Sequence, residues 1–130
     1  MGVVLSVHDL AIEFPTPRGS VRVVDGVSFE LGAGETLALV GESGSGKTLT
    51  ALAVLGLVPA PGRVVTGRAF FQERNLLRLD EGELRALRGR ALSIVFQDPL
   101  SALHPLLTIG RQLTEVIEAH ELFGVSYDQI

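Results

Sequence analysis

The spacing of hydrophobic and polar positions changes several times along the chain, and each change marks an element. "VVLSVHDLAIEF" (residues 3–14) and "SVRVVDGVSFEL" (residues 20–31) are rich in β-branched residues with partial alternation. In the second, Val27, Phe29 and Leu31 oppose Ser28 and Glu30, the two-residue period of a half-buried strand. "PTPRGS" between them reads as a turn or loop, and "GAGE" (Gly32 to Glu35) as a second tight turn. Thr36 to Val40 then predicts a short apolar strand of the kind buried on both faces. Lys47 to Leu57 follows as a helix, stopped by Gly56, Pro59 and Pro61. Val64 to Phe71 predicts another strand, and Asp80 with Glu83 approximates a capping box that opens a short helix through Arg88. "ALSIVF" (Ala91 to Phe96) predicts a second apolar strand, ended by Gln97, Asp98 and Pro99. From Thr108 onward Ile109, Leu113, Val116 and Ile117 recur at helical spacing. The closing "GVSYDQI" offers no terminating element, so the pattern is expected to break off partway through a domain.

Composition narrows the class. A chain of 130 residues makes one domain, or a piece of one. Its 46% apolar and 20% charged content is that of a globular protein, and a formal net charge of -4 argues against a broad nucleic-acid surface, which needs clustered Lys and Arg. The absence of cysteine excludes disulfides and thiolate metal sites. "MGVVLSVHDL" lacks the basic and apolar regions of a signal peptide. The most apolar stretch, Leu49 to Gly62, is interrupted by Thr50, Pro59 and Pro61 and falls short of the roughly 20 residues that cross a bilayer, so no transmembrane segment is expected.

The chemistry concentrates in Gly41-Glu42-Ser43-Gly44-Ser45-Gly46-Lys47-Thr48, which matches G-x-x-x-x-G-K-S/T between an apolar run and a helix. Glycines let successive N–H groups turn inward around phosphate oxygens, and the first turn of the helix adds unpaired N–H groups and the positive end of its dipole. Lys47 is placed to reach the β- and γ-phosphates, and Thr48 to put its hydroxyl on a bridging Mg²⁺. A chance match is expected in roughly one sequence of this length in several hundred, before the strand and helix context is required. The chain has ten arginines but one lysine, and that compact ammonium stands where a planar guanidinium fits poorly.

"GETLALVGESGSGKT" together with "FQDPLSALHP" resembles the ATP-binding subunit of ABC transporters, in the peptide and nickel importer branch. The resemblance runs through nearly all of the chain and implies an α/β fold: a RecA-like P-loop NTPase core with an N-terminal antiparallel β portion, cut off before the signature and Walker B motifs. Residues 1–97 would be the β portion and P-loop core, and residues 98–130 the Q-loop and the start of a helical subdomain. It implies ATP and Mg²⁺ as cofactors, with Phe14 stacking on adenine, Gly41, Ser43, Gly44, Ser45, Gly46, Lys47 and Thr48 around the phosphates, and Gln97 touching Mg²⁺ or the attacking water. Lys47 and Gln97 would be the catalytic residues, and Thr48 and Gln97 the metal contacts. Implied partners are transmembrane permease subunits and a second ATP-binding subunit, on the cytoplasmic face of the membrane. His104 departs from the pattern, where asparagine commonly precedes that proline.

Asp98 follows an apolar strand, but Gln97 intervenes and Pro99 follows. Asp25 follows a run broken by Arg22, with Gly26 where the family has its catalytic glutamate. Both are expected to be turn residues without a metal role. His8, His104 and His120 lack metal-ligand spacing. No LSGGQ-like signature or Asp-Glu run precedes Ile130, so this segment by itself is expected not to turn over ATP. The strands that flank Thr36 to Val40 in the family come from later sequence, so that run is expected to have open apolar edges. A small kinase remains an alternative, as does a non-catalytic nucleotide-binding or interaction module. A complete GTPase is excluded, because its N-K-x-D motif needs a second lysine.

Overall fold

The computed structural model describes residues 2–121, so the closing "GVSYDQI" lies outside the described residues. The chain divides into two compact units, Met1–Asp80 and Glu81–Ile130.

The first unit is built on four antiparallel strands: β1 (Val3–Thr16), β2 (Gly19–Gly32), β3 (Arg63–Phe71) and the short β4 (Arg74–Asn75), in the order β2-β1-β3-β4. The β1–β2 hairpin closes where Thr16 pairs with Gly19 around Pro17 and Arg18. Pro17 presets φ for the turn, and the Thr16 hydroxyl donates to the Gly19 carbonyl at 2.6 Å. "GAGE" closes the other end of β2, with the Gly32 N–H donating to the Glu35 carboxylate at 2.7 Å.

β1 pairs with both β2 and β3 and supplies three of the four largest fully buried side chains. Val7, Leu10, Ile12 and Leu76 are the largest fully buried side chains, each worth about 1.5–3 kcal/mol of burial. The helix α1 (Lys47–Val54) touches β2 and the 3₁₀ turn Leu76–Arg78, and adds Thr50, Ala53 and Val54 to the buried set. β1 carries an extra residue at Asp9 relative to both neighbours; Asp9 has φ +49° and sends its N–H to the Ser28 hydroxyl at 2.9 Å. Opposite this bulge stands Gly67, φ +118°, where a Cβ would come within 2.7 Å of the Leu10 Cα. No other residue fits that approach.

Two expected strands do not form. Thr36 to Val40 joins no ladder, and Leu37, Leu39 and Val40 are 45%, 43% and 91% exposed. A strand buried on both faces needs a partner on each edge. Among the described residues the ladders of unit 1 are occupied by β1 to β4, and none is offered to this run. Ala91 to Phe96 makes only an isolated bridge from Leu92 to Arg88, and Val95 is 94% exposed.

In the second unit, α2 (Glu81–Leu87) and α3 (Ile109–Glu121) match the expected helices. Glu81 and Glu83 oppose the dipole in the first turn of α2. α2 stops at Gly89, φ +78°, and the Leu87 carbonyl takes up the N–H groups of Ala91 (2.9 Å) and Leu92 (3.0 Å). Ile109, Leu113 and Val116 remain exposed on α3, although their spacing correctly marks a helix. The compact division falls after Asp80; the boundary expected at 97/98 follows motifs rather than compactness.

Candidate phosphate-binding site

The segment 41–48 turns back on itself because two of its glycines adopt conformations that other residues resist. Gly44 has φ +81° and Gly46 φ +94°. The Ser45 N–H closes the turn on the Glu42 carbonyl at 3.1 Å. Gly46 then caps α1 without a side-chain hydrogen bond, and its carbonyl accepts both the Thr50 N–H (2.9 Å) and the Thr50 hydroxyl (2.8 Å). The N–H groups of Lys47, Thr48 and Leu49 precede that first helical bond and so have no acceptor within the helix. No acidic residue stands in the first turn to offset the positive end of the dipole.

These groups border a hollow of about 150 Å³ lined by Gly44, Gly46, Lys47, Thr48 and Leu49. Sites that engulf a drug-sized ligand run to roughly 300–1,000 Å³, so this one suits phosphate groups and leaves a base outside. A larger hollow, about 250 Å³, opens beside Arg111, Thr114, Glu115 and Glu118. Its arginine is already bonded to Glu115 at 2.9 Å and a second carboxylate faces it, so it is a poor anion site.

Lys47 lies back across the loop. Its Nζ donates to the carbonyls of Gly41 and Glu42, 2.7 Å each, and more weakly to the Ser45 hydroxyl at 3.3 Å. Two short bonds hold the ammonium in place, and the long third one is the easiest to exchange for a phosphate oxygen. A Cβ on Gly41 would fall 2.5 Å from Ser45 Oγ, so a side chain there requires the serine hydroxyl to turn away.

The other expected site residues are placed as follows. Ser43 is exposed in the turn, and Thr48 is exposed in the first turn of α1. Phe14 is half-buried near the end of β1, with its ring against Gly62, where a Cβ would overlap the ring tip. Gln97 occupies an exposed bend of the second unit. Asp98 is a turn residue as expected: its carboxylate accepts the Leu100 N–H at 3.2 Å, and its carbonyl accepts the Ser101 hydroxyl at 2.9 Å. Asp25 is not a turn residue. It lies within β2 and pairs with Arg22 at 3.0 Å, which also pairs with Glu13 at 3.0 Å. The Asp25-Gly26 dipeptide, with Gly26 at φ +71°, makes a bulge inside the strand instead of ending it.

The histidines have local partners: His8 the Ser6 hydroxyl at 2.8 Å, His104 the Leu106 N–H at 3.2 Å, and His120 the carbonyls of Val116 and Arg88. No group of three His, Cys, Asp or Glu among the described residues is arranged to hold a metal ion. The Thr48 hydroxyl lies beside the hollow, an oxygen of the kind Mg²⁺ takes alongside phosphates and water. No helix among the described residues is long and apolar enough to cross a membrane.

One neighbour of the loop was not legible in the sequence. Val23 and Val24 of β2 press on Gly46, and nothing in "VRVVDGV" beyond its irregular alternation signals it.

The profile of a family described as ABC transporter matches residues 24–129. The dipeptide transport ATP-binding protein DppD of Bacillus subtilis is 47% identical over 122 residues, covering 93% of this chain and 36% of the relative. The oligopeptide transport ATP-binding protein OppD of Salmonella typhimurium is 48% identical over 119 residues, covering 92% and 35%. The peptidoglycan transport ATP-binding protein YejF of Agrobacterium fabrum is 45% identical over 118 residues, covering 90% and 22%. The chain thus spans about a third of the length of the first two relatives.

Proposed function

The chain belongs to the ABC transporter family, and from that premise we propose that it binds Mg-ATP through Gly41 to Thr48, as the nucleotide-binding portion of a subunit that powers import of peptides or a related small solute. The observation that carries this reading is the convergence of Lys47 and the unpaired amides of the α1 N-terminus on one small hollow. Backbone N–H groups of Gly44, Gly46 and Lys47 hold the phosphates, and the Lys47 ammonium turns from Ser45 Oγ toward the β- and γ-oxygens. Gly41, Ser43 and Ser45 shape the loop around them. The Thr48 hydroxyl would hold Mg²⁺, which would supply charge neutralisation on the same phosphates. Phe14 offers its ring to the adenine outside the hollow. By likeness to the family, Gln97 is assigned to the metal or the attacking water and to coupling with a permease.

The relatives' names describe transport ATP-binding proteins, which supports permease partners, a second ATP-binding subunit and a position at the inner face of the membrane. The residues described supply positioning and charge stabilisation but no water-activating carboxylate, so this segment alone binds ATP without useful turnover. The test is titration of the chain with a fluorescent ATP analogue in Mg²⁺. The expected result is saturable binding, displaced by ATP and not by adenosine. A natively folded sample that ignores saturating ATP overturns the reading.

A further inference from the structure

β2 leaves regular pairing at the place where the phosphate loop touches it. Ile12 pairs with Val24 and Glu13 with Arg22, so Val23 is an extra residue on β2. An extra residue of this kind loses its partner in the ladder, and its backbone is re-aimed. The Val23 carbonyl and the Val24 Cγ2 methyl both reach Gly46: a Cβ there would lie 2.9 Å from the first and 2.8 Å from the second. The bare backbone of Gly46 therefore rests against them. Val24 is 3% exposed and its partner Ile12 is fully buried, so the methyl has little room to move. Gly46 is the last residue before α1, and its φ of +94° sets the direction of the amides that follow.

We propose that Val24 is a positioning residue for phosphate binding: with the Val23 bulge behind it, its Cγ2 methyl holds Gly46 left-handed and keeps the Gly46 to Thr48 amides directed at the hollow, without touching the nucleotide. The inference rests on the ATP-binding reading above and names the part of the β portion that enforces it. Val24→Ala removes the contact. Val24→Ile keeps a carbon at the contact, because the isoleucine Cγ1 stands where the valine Cγ2 does. Val7→Ala makes the same truncation at a fully buried β1 position and controls for lost stability.

The experiment takes the full chain and its three variants through two measurements: titration with a fluorescent ATP analogue, and amide hydrogen exchange at Gly46, Lys47 and Thr48 without nucleotide. Val24→Ala is expected to weaken binding by about tenfold and to speed exchange at those three amides. Val24→Ile and Val7→Ala are expected to bind like the parent. The proposal is overturned if Val24→Ala binds like the parent, or if Val7→Ala loses as much affinity. A parent chain that does not bind defeats the ATP reading instead. In that case the exchange measurement decides alone, and unchanged rates in Val24→Ala relative to Val7→Ala overturn the positioning role.

Discussion

The Lys47 ammonium lies 2.7 Å from the Gly41 carbonyl, so the end of the 41–48 loop is tied to its first residue by the side chain that the proposed phosphate site uses for charge. Lys47→Ala removes the charge and the tie together. A hydrogen bond to a charged group contributes about 2 kcal/mol, which is roughly thirtyfold in affinity. Calorimetric titration with Mg-ATP should show that loss, and Lys47→Arg should recover little of it, since a planar guanidinium cannot reproduce two converging bonds to carbonyls. Full recovery by arginine would contradict the geometry.

Gly44 and Gly46 are both left-handed but differ in their surroundings. A Cβ on Gly44 meets nothing within 4 Å, whereas one on Gly46 runs into Val24 and the Val23 carbonyl. Gly44→Ala should therefore cost about 1–2 kcal/mol, the backbone term alone. Gly46→Ala adds overpacking and should cost about 2–5 kcal/mol in total. Urea denaturation of the two variants measures the difference, and equal midpoints would refute it.

Phe14 and Gly62 are expected to act as a pair. If the ring takes the adenine, Phe14→Ala should weaken ATP by about tenfold, the scale of one base stacked on an aromatic ring, and leave inorganic triphosphate binding unchanged. Gly62→Ala should reproduce that selectivity by pushing the ring aside. Loss of both ligands to the same degree would assign Phe14 to the fold instead.

Val40, 91% exposed next to an unladdered apolar run, should drive association between copies. Val40→Lys is expected to shift sedimentation toward monomer and to change stability by no more than about 0.5 kcal/mol, as surface changes usually do. A parent that already sediments as a monomer would dispose of the idea.

His120 links α3 to the end of α2 through a charge. Its Nδ1 lies 2.6 Å from the Val116 carbonyl and its Nε2 3.0 Å from the Arg88 carbonyl; only the imidazolium can donate both bonds. Those bonds, Val116 first, raise its pKa above the ordinary 6.5. Its contribution is therefore full below 6.5 and is lost as pH rises through the raised folded value. Glu81 runs the other way: the hydrogen bond from Arg88 lowers its pKa below 4.5, so its contribution is present above 4.5 and is lost as pH falls through the lowered value. An NMR titration should place the His120 midpoint above 6.5, and a midpoint at or below that value would sink the linkage.

Much of this was determined by the sequence alone, because its causes are local. The spacing Gly41, Gly46, Lys47, Thr48 announces a tight glycine turn into a helix, since left-handed glycines and a helix start are properties of a few adjacent residues. The β1–β2 hairpin, β3 and the α-helices of the described residues follow from periodicity, capping and turn residues in the same way. Tertiary structure decided what depends on distant partners. Thr36 to Val40 and Ala91 to Phe96 have the composition of strands but lie unladdered, because a strand exists only beside another and composition does not say which one. Asp25-Gly26 has turn chemistry yet became a bulge, because β1 continues to pair on both sides of it. The contact of Val24 with Gly46 joins residues far apart in the chain through the register of a bulged ladder, and register is set by the whole sheet rather than by any short segment of it.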